Sequence, residues 1–286
     1  MTEAIIKVED LLYSYPSAPA PAVKDMSFSV ARGEIFGFLG PSGAGKTTTQ
    51  RILAGLLEQA HGVARVLGRD RKDWGREIYD RIGVSFELPA AYHKLTAREN
   101  LQHFSRLHER TSGDIDALLA SLGLEDSADF LAGSFSKGMR MRLNLAIALV
   151  HEPELLFLDE PTSGLDPVSI RRVREKIREE RERGATVFLT THDMQTADVL
   201  CDRVAFVVGG TIVACDSPRA LKLASGTRQV RVEYSKPDGE LRSETHALTS
   251  APSRLIELLE AGRVERIHST EAGLDEVFVE ITGAKL

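Results

Sequence analysis

Two kinds of pattern alternate along the chain. Short runs rich in β-branched and other apolar residues occur at 4–8, 27–30, 35–39, 81–86, 155–158, 185–190 and 203–208. Runs of this length, bounded by glycine or charged residues, predict buried strands. Between them lie longer stretches with helical spacing of apolar positions, most clearly 46–57, 137–150 and 167–183. The alternation predicts an α/β fold on a mainly parallel sheet.

The interval from about 87 to 151 breaks that rhythm. Thr96-Ala97-Arg98-Glu99 has the form of a capping box opening an amphipathic helix. A second helix is expected over 114–122 and a third over 137–150, with no strand pattern among them. The interval reads as a helical insertion into the α/β core. After about residue 225 the pattern changes again. Strand runs at 229–234 and 241–247 flank a turn at Lys236-Pro237-Asp238-Gly239, and a helix at 252–261 precedes a last strand at 264–268. That order predicts a small α+β module at 225–286, after a first domain at 1–224. The charge-dense run 171–183 reads as a solvated helix face.

The chain has 286 residues, a length that suggests two domains. Its 36 Lys+Arg against 42 Asp+Glu give a formal charge of −6. That balance argues against nucleic acid as a general partner, because phosphate neutralisation needs surplus positive charge. Cys201 and Cys215 are the only cysteines and form no metal or redox spacing, so they read as reduced thiols. The amino-terminal MTEAIIKVED lacks a basic segment followed by an apolar one, so no secretory signal is expected. The most apolar stretches, 143–150 and 205–214, are too short to span a bilayer.

The residues that carry chemistry cluster at strand ends. Gly40, Pro41, Ser42, Gly43, Ala44, Gly45, Lys46 and Thr47 fit G-x-x-x-x-G-K-[ST], with Thr48 following, between a predicted strand and a predicted helix. The glycines let backbone N–H groups turn inward as an anion nest at a helix N-terminus. Lys46 supplies a point charge for the β- and γ-phosphates, and the Thr47 hydroxyl is a hard oxygen ligand for Mg²⁺. The glycine order is not that of a dinucleotide site. A nucleoside triphosphate is the expected ligand. The strand at 155–158 runs into Asp159-Glu160. Side chains alternate along a strand, so adjacent acids cannot serve one ligand. Asp159 suits the Mg²⁺ shell, and Glu160 is left to polarise a water.

Phe135-Ser136-Lys137-Gly138-Met139 heads the helix before the acidic pair, and Pro161-Thr162-Ser163-Gly164-Leu165-Asp166-Pro167 follows that pair. Together these segments resemble the nucleotide-binding subunits of ABC transporters over about 5–224. The resemblance implies a P-loop NTPase core of RecA-like type with a helical insertion, binding ATP and Mg²⁺. It implies that Ser136 and Gly138 hold the γ-phosphate of ATP on a partner subunit, giving a head-to-tail homodimer, or a pair with another ATPase subunit, around two nucleotides. Lys137 departs from the family's usual signature glycine. Tyr15 matches the aromatic that stacks on adenine, with Val23 as its apolar neighbour; Tyr13 competes for that role. Asp166 matches a loop that crosses between subunits, and it equally suits a helix N-cap. His192, in Val187-Phe188-Leu189-Thr190-Thr191-His192-Asp193, stands where the family senses the γ-phosphate.

Where the family has a glutamine that touches Mg²⁺ and the attacking water, this chain has Glu87, which accepts but does not donate when ionised. The segment from Glu87 to Asn100 is the expected contact with a separate membrane permease. Gly273-Leu274-Asp275-Glu276-Val277-Phe278, running on to Gly283, resembles the ending of ATPases of ABC-2-type exporters. The resemblance thus implies a cytoplasmic ATPase, peripheral on the cell membrane and serving export. A non-transport ABC ATPase is the alternative. A GTPase is disfavoured by the lack of an N-K-x-D guanine-reading motif.

Overall fold

The computed structural model describes residues 4–16, 18–58, 61–86, 90–109, 113–224, 228–236, 240–247 and 252–283. The chain divides into two compact units, 1–216 and 217–286.

The first unit opens with β1 (Ala4–Tyr13), β2 (Val23–Ala31), β3 (Ile35–Leu39) and α1 (Lys46–Ala54). β4 (His61–Val66), β5 (Arg69–Asp70) and β6 (Ile82–Ser85) follow, then α2 (Ala97–Ser105), α3 (Ile115–Ser121) and α4 (Lys137–Leu149). It ends with β7 (Leu155–Asp159), α5 (Pro167–Glu182), β8 (Thr186–Thr191), α6 (Met194–Leu200), β9 (Arg203–Val208) and β10 (Thr211–Asp216). The principal sheet has the order β10-β9-β3-β8-β7-β6, parallel except where β10 returns on β9. Every residue of β3, β7 and β8 is buried, as expected of parallel strands covered on both faces.

The runs at 4–8 and 27–30 do not join that sheet. β1 and β2 pair antiparallel with each other, and β4 and β5 extend them into the sheet β2-β1-β4-β5. The pattern of β1 explains this. Ile6, Val8 and Leu11 are buried while Lys7 and Glu9 are exposed, which suits a sheet with one face in water. The two sheets share one core, in which Ile6, Val8, Met26 and Val30 join Phe36, Phe38 and Phe188. The Phe38 and Phe188 rings lie 4.9 Å apart between centroids.

The stretch from 90 to 150 contains helices and short turns but no named strand among its described residues. Thr96 caps α2 reciprocally with Glu99: the Glu99 amide donates to the Thr96 hydroxyl at 3.1 Å, and the Thr96 amide donates to Glu99 at 2.8 Å. Buried Asn144 on α4 donates to Ser85 Oγ at 3.0 Å and to the Phe86 carbonyl at 2.8 Å, and accepts from the Ala90 amide at 3.0 Å. One amide side chain thus ties the helical insertion to the chain leaving β6.

The second unit contains α7 (Pro218–Ala224), β11 (Arg228–Ser235), β12 (Leu241–Ala247), α8 (Pro252–Glu260), β13 (Val264–Glu271) and α9 (Leu274–Thr282). The strands form the antiparallel order β12-β11-β13. Val230, Val232 and Tyr234 of β11 pack with Leu255 and Leu258 of α8. The turn expected at 236–239 lies largely outside the described residues.

Candidate functional site

The loop from Gly40 to Gly45 leaves β3 and enters α1 at Lys46. Two of its glycines are demanded by packing. Gly40 has φ +156° and a Cβ there would stand 2.1 Å from the Val207 carbonyl oxygen. Gly45 has φ +99° and a Cβ there would stand 2.3 Å from the Ala22 carbonyl oxygen. No side chain fits either place. Lys46 folds back over the loop, donating to the Gly40 carbonyl at 2.6 Å and the Pro41 carbonyl at 3.1 Å. Burial pulls its ammonium below the ordinary lysine value, and the charges of Glu160 and Asp159 work against that shift.

The acidic pair at the end of β7 faces two ways. Thr47 Oγ1 donates toward Asp159 Oδ1 at 3.2 Å and Oδ2 at 3.1 Å, and Thr190 also donates to Asp159 Oδ1. Glu160 instead accepts from Thr191 Oγ1 at 3.0 Å on Oε2, and its Oε1 lies 2.8 Å from His192 Nδ1. Its backbone adopts φ +49°, unusual outside glycine, with its N–H on the Thr190 carbonyl at 2.9 Å. Two adjacent strand ends therefore interlock, with Thr190 on one carboxylate and Thr191 with His192 on the other.

A cleft of about 380 Å³ is lined by Tyr15, Ala22, residues 42–48, Asp159 and Glu160. The Tyr15 hydroxyl is 3.2 Å from Thr48 Oγ1, and its ring meets Tyr13 edge-on with centroids 5.0 Å apart. Tyr15 lines the cleft and Tyr13 buttresses it. Val23 does not reach the cleft: it is fully buried in the shared core, and its neighbour Ala22 lines the wall in its stead. A larger cleft of about 580 Å³, bordered by Ile52, Arg71, Trp74 and Tyr79, holds neither the phosphate loop nor the carboxylate pair, so volume alone does not mark the site.

Other expected residues lie apart from the cleft lining. Ser136 is the N-cap of α4, accepting from the Met139 amide at 3.2 Å, and no acid occupies the first turn of that helix. A Cβ on Gly138 would sit 3.2 Å from a Leu165 methyl carbon, so this helix start packs on the loop 161–166. Asp166 caps α5, accepting from the Val168 and Ser169 amides at 3.0 Å each and from Ser169 Oγ at 2.6 Å. The Ser169 hydroxyl is the main reason its carboxyl sits below the usual aspartate value. Glu87 lies outside the described residues. Thr190 and Thr191 escaped the motif reading; their only sequence signal is their place, directly before His192 at the end of a buried strand.

Comparison with known proteins bears on the whole chain. The ABC transporter family model matches residues 23–163. A fluoroquinolones export ATP-binding protein of Mycobacterium tuberculosis is 53% identical over 99% of this chain and 94% of its own length. The daunorubicin resistance ATP-binding protein DrrA2 of Streptomyces coeruleorubidus is 37% identical over 92% of this chain and 90% of its own. A solved ATP-binding subunit of an ABC transporter superposes with a TM-score of 0.70 at 30% identity, over 78% of this chain and 93% of that one. The interlocked strand ends, the glycine loop and these relatives lead to one statement: the chain belongs to the ABC transporter family, as one of its ATP-binding, ATP-hydrolysing subunits.

Proposed function

We propose that the chain powers an exporter by closing as a homodimer around two ATP molecules and reopening after hydrolysis. The reading rests above all on Glu160, held by Thr191 and His192 at the rim of a cleft that also presents Lys46, Thr47 and Asp159. Loop amides of residues 42–48 and Lys46 cradle the phosphates, while Tyr15 offers an aromatic face to adenine. The Thr47 hydroxyl and Asp159 carboxylate meet within 3.2 Å, and these hard oxygens would hold Mg²⁺. When bound, Mg²⁺ neutralises charge on the β- and γ-phosphates. Glu160 orients a water and takes one of its protons as the water oxygen bonds to the γ-phosphorus. The bond to the bridging oxygen breaks, releasing ADP and phosphate. His192 follows the γ-phosphate.

Ser136 and Gly138 lie outside the cleft of their own chain. They form a capped helix start without acidic residues, suited to the nucleotide of a second copy, and Leu165, next to Asp166, packs on it. We assign the membrane contact to the segment 87–100 and its surroundings. Its described part leaves Tyr92 exposed, and the Thr96 bridge to Leu131 brings exposed Phe130 and Leu131 nearby. Among the described residues no helix is long and apolar enough to cross a membrane, so the reading needs a separate permease at the cytoplasmic face. We assign the accessory domain, expected at 225–286, to the compact unit at 217–286, which begins eight residues earlier because it takes in α7. Export is supported by the relatives named above. The test is capture: the tagged chain should retain one integral membrane protein from solubilised membranes of its own organism, and capture of soluble proteins alone would overturn the transport reading.

A further inference from the structure

The two partners of Glu160 differ in kind. Thr191 is fully buried, whereas most of the His192 side chain is exposed, at 62%. Thr191 Oγ1 accepts the Asp193 amide proton at 3.0 Å and donates its own proton to Glu160 Oε2 at 3.0 Å. The Glu160 carboxylate only accepts, so the single hydroxyl proton of Thr191 goes to it, while the Asp193 amide holds the Thr191 oxygen from the other side. His192 approaches the other oxygen from solvent, at 2.8 Å. One hold on the carboxylate is therefore built into the end of β8, and the other is exchangeable.

We infer that Thr191 is a positioning residue for ATP hydrolysis, keeping Oε2 of Glu160 anchored so that Oε1 is presented to water when His192 leaves it. The inference rests on the reading of Glu160 as the group that activates water. Strand geometry supports it independently. Thr190 and Thr191 are adjacent and project to opposite sides, one to Asp159 and the other to Glu160, so β8 sets the two carboxylates separately. Glu160 also sits at φ +49° just beyond β7, where the strand no longer dictates the side-chain direction. Without an anchor the carboxylate samples several rotamers, and productive alignment with water becomes rarer.

The test uses the full chain and four variants: T191V, T191A, T191S and E160Q. T191V should lower kcat for ATP about 10-fold, the scale of a lost hydrogen bond to a charged group, with KM for ATP within about twofold. T191S keeps the hydroxyl and should stay within about threefold of the parent in kcat. If T191V does not fold, the alanine and serine variants decide: alanine should behave as expected for valine, and serine should rescue it. Equal losses in serine and alanine, or a T191V change confined to KM, would overturn the inference. E160Q separates the two claims. Parental turnover in E160Q would refute the reading of Glu160 itself, whereas a dead E160Q beside a fully active T191V would refute only the anchor.

Discussion

Thr47 and Asp159 stand 112 positions apart, and their side chains meet, the hydroxyl lying 3.1 and 3.2 Å from the two carboxylate oxygens. The meeting joins the first turn of α1 to the end of β7. If this pair holds Mg²⁺, D159N should lose about 10²–10³-fold in kcat, because charge stabilisation during phosphoryl transfer depends on the ion. Nucleotide affinity measured without Mg²⁺ should stay within about threefold. Titrating Mg²⁺ against turnover checks this; an unchanged Mg²⁺ dependence in D159N would remove Asp159 from the metal site.

Gly45 is the tightest point between the phosphate loop and the chain entering β2. Its φ of +99° and the 2.3 Å approach of the Ala22 carbonyl leave no room for a methyl group. G45A should abolish ATP binding and destabilise the chain by more than about 2 kcal/mol, through strain at a positive φ together with a backbone clash. Nucleotide fluorescence titration and urea unfolding read the two effects separately.

Glu154 accepts from Arg81 Nε at 2.7 Å and from another Arg81 nitrogen at 3.0 Å, stitching the edge strand β6 to β7. The Arg81 hydrogen bond is the main reason its carboxyl lies below the ordinary glutamate value. The folded chain thus holds this proton less readily than the unfolded one. The stabilisation is complete above the unfolded value, about 4.3, and is lost as pH falls through the lower folded value. E154Q should cost roughly 1 kcal/mol at neutral pH, and the gap from the parent should narrow in acid, as pH falls below about 4.3. Urea unfolding at neutral and acid pH measures it; a gap independent of pH would contradict this account.

Glu87 occupies the position where the family carries glutamine. If Glu87 stands in for that glutamine, as the resemblance implies, an ionised carboxylate there would repel the γ-phosphate and Glu160, and E87Q should raise basal ATP turnover and shift its Mg²⁺ dependence. Steady-state kinetics of parent and variant over a Mg²⁺ titration test this. Identical rates and Mg²⁺ dependence in parent and variant would show that the substitution is silent.

The parts of the site legible in the sequence were those that local chemistry writes in consecutive residues. Gly40 to Thr47 and Asp159-Glu160 announced themselves because a phosphate nest and a strand-end acid pair each need adjacent residue types. Asp166 suits two roles by sequence, and the structure shows its cap of α5. Long-range pairing was less legible. The stretch 205–214 read as one apolar run, yet Gly209 and Gly210, both at positive φ, fold it into the β9–β10 hairpin. β1 and β2 read as members of the parallel sheet because a short apolar run does not say which neighbour it pairs with. Helix α6 was missed because its seven residues carry little periodicity and its start depends on the Asp193 cap. Tyr15 and Val23 show the limit of matching by position: Tyr15 lines the cleft, but a one-residue offset puts Ala22 there and buries Val23.

The central claim is that ATP closes two copies of this chain and that Glu160 then opens them by activating water. It is tested most directly with E160Q, assayed for turnover and for oligomeric state by size-exclusion chromatography with Mg²⁺ and ATP. General-base loss predicts a fall in kcat of about 10²–10⁴-fold, together with a stable ATP-bound dimer that the parent forms only transiently. Parental turnover in E160Q, or a chain that stays monomeric with saturating ATP, would contradict it.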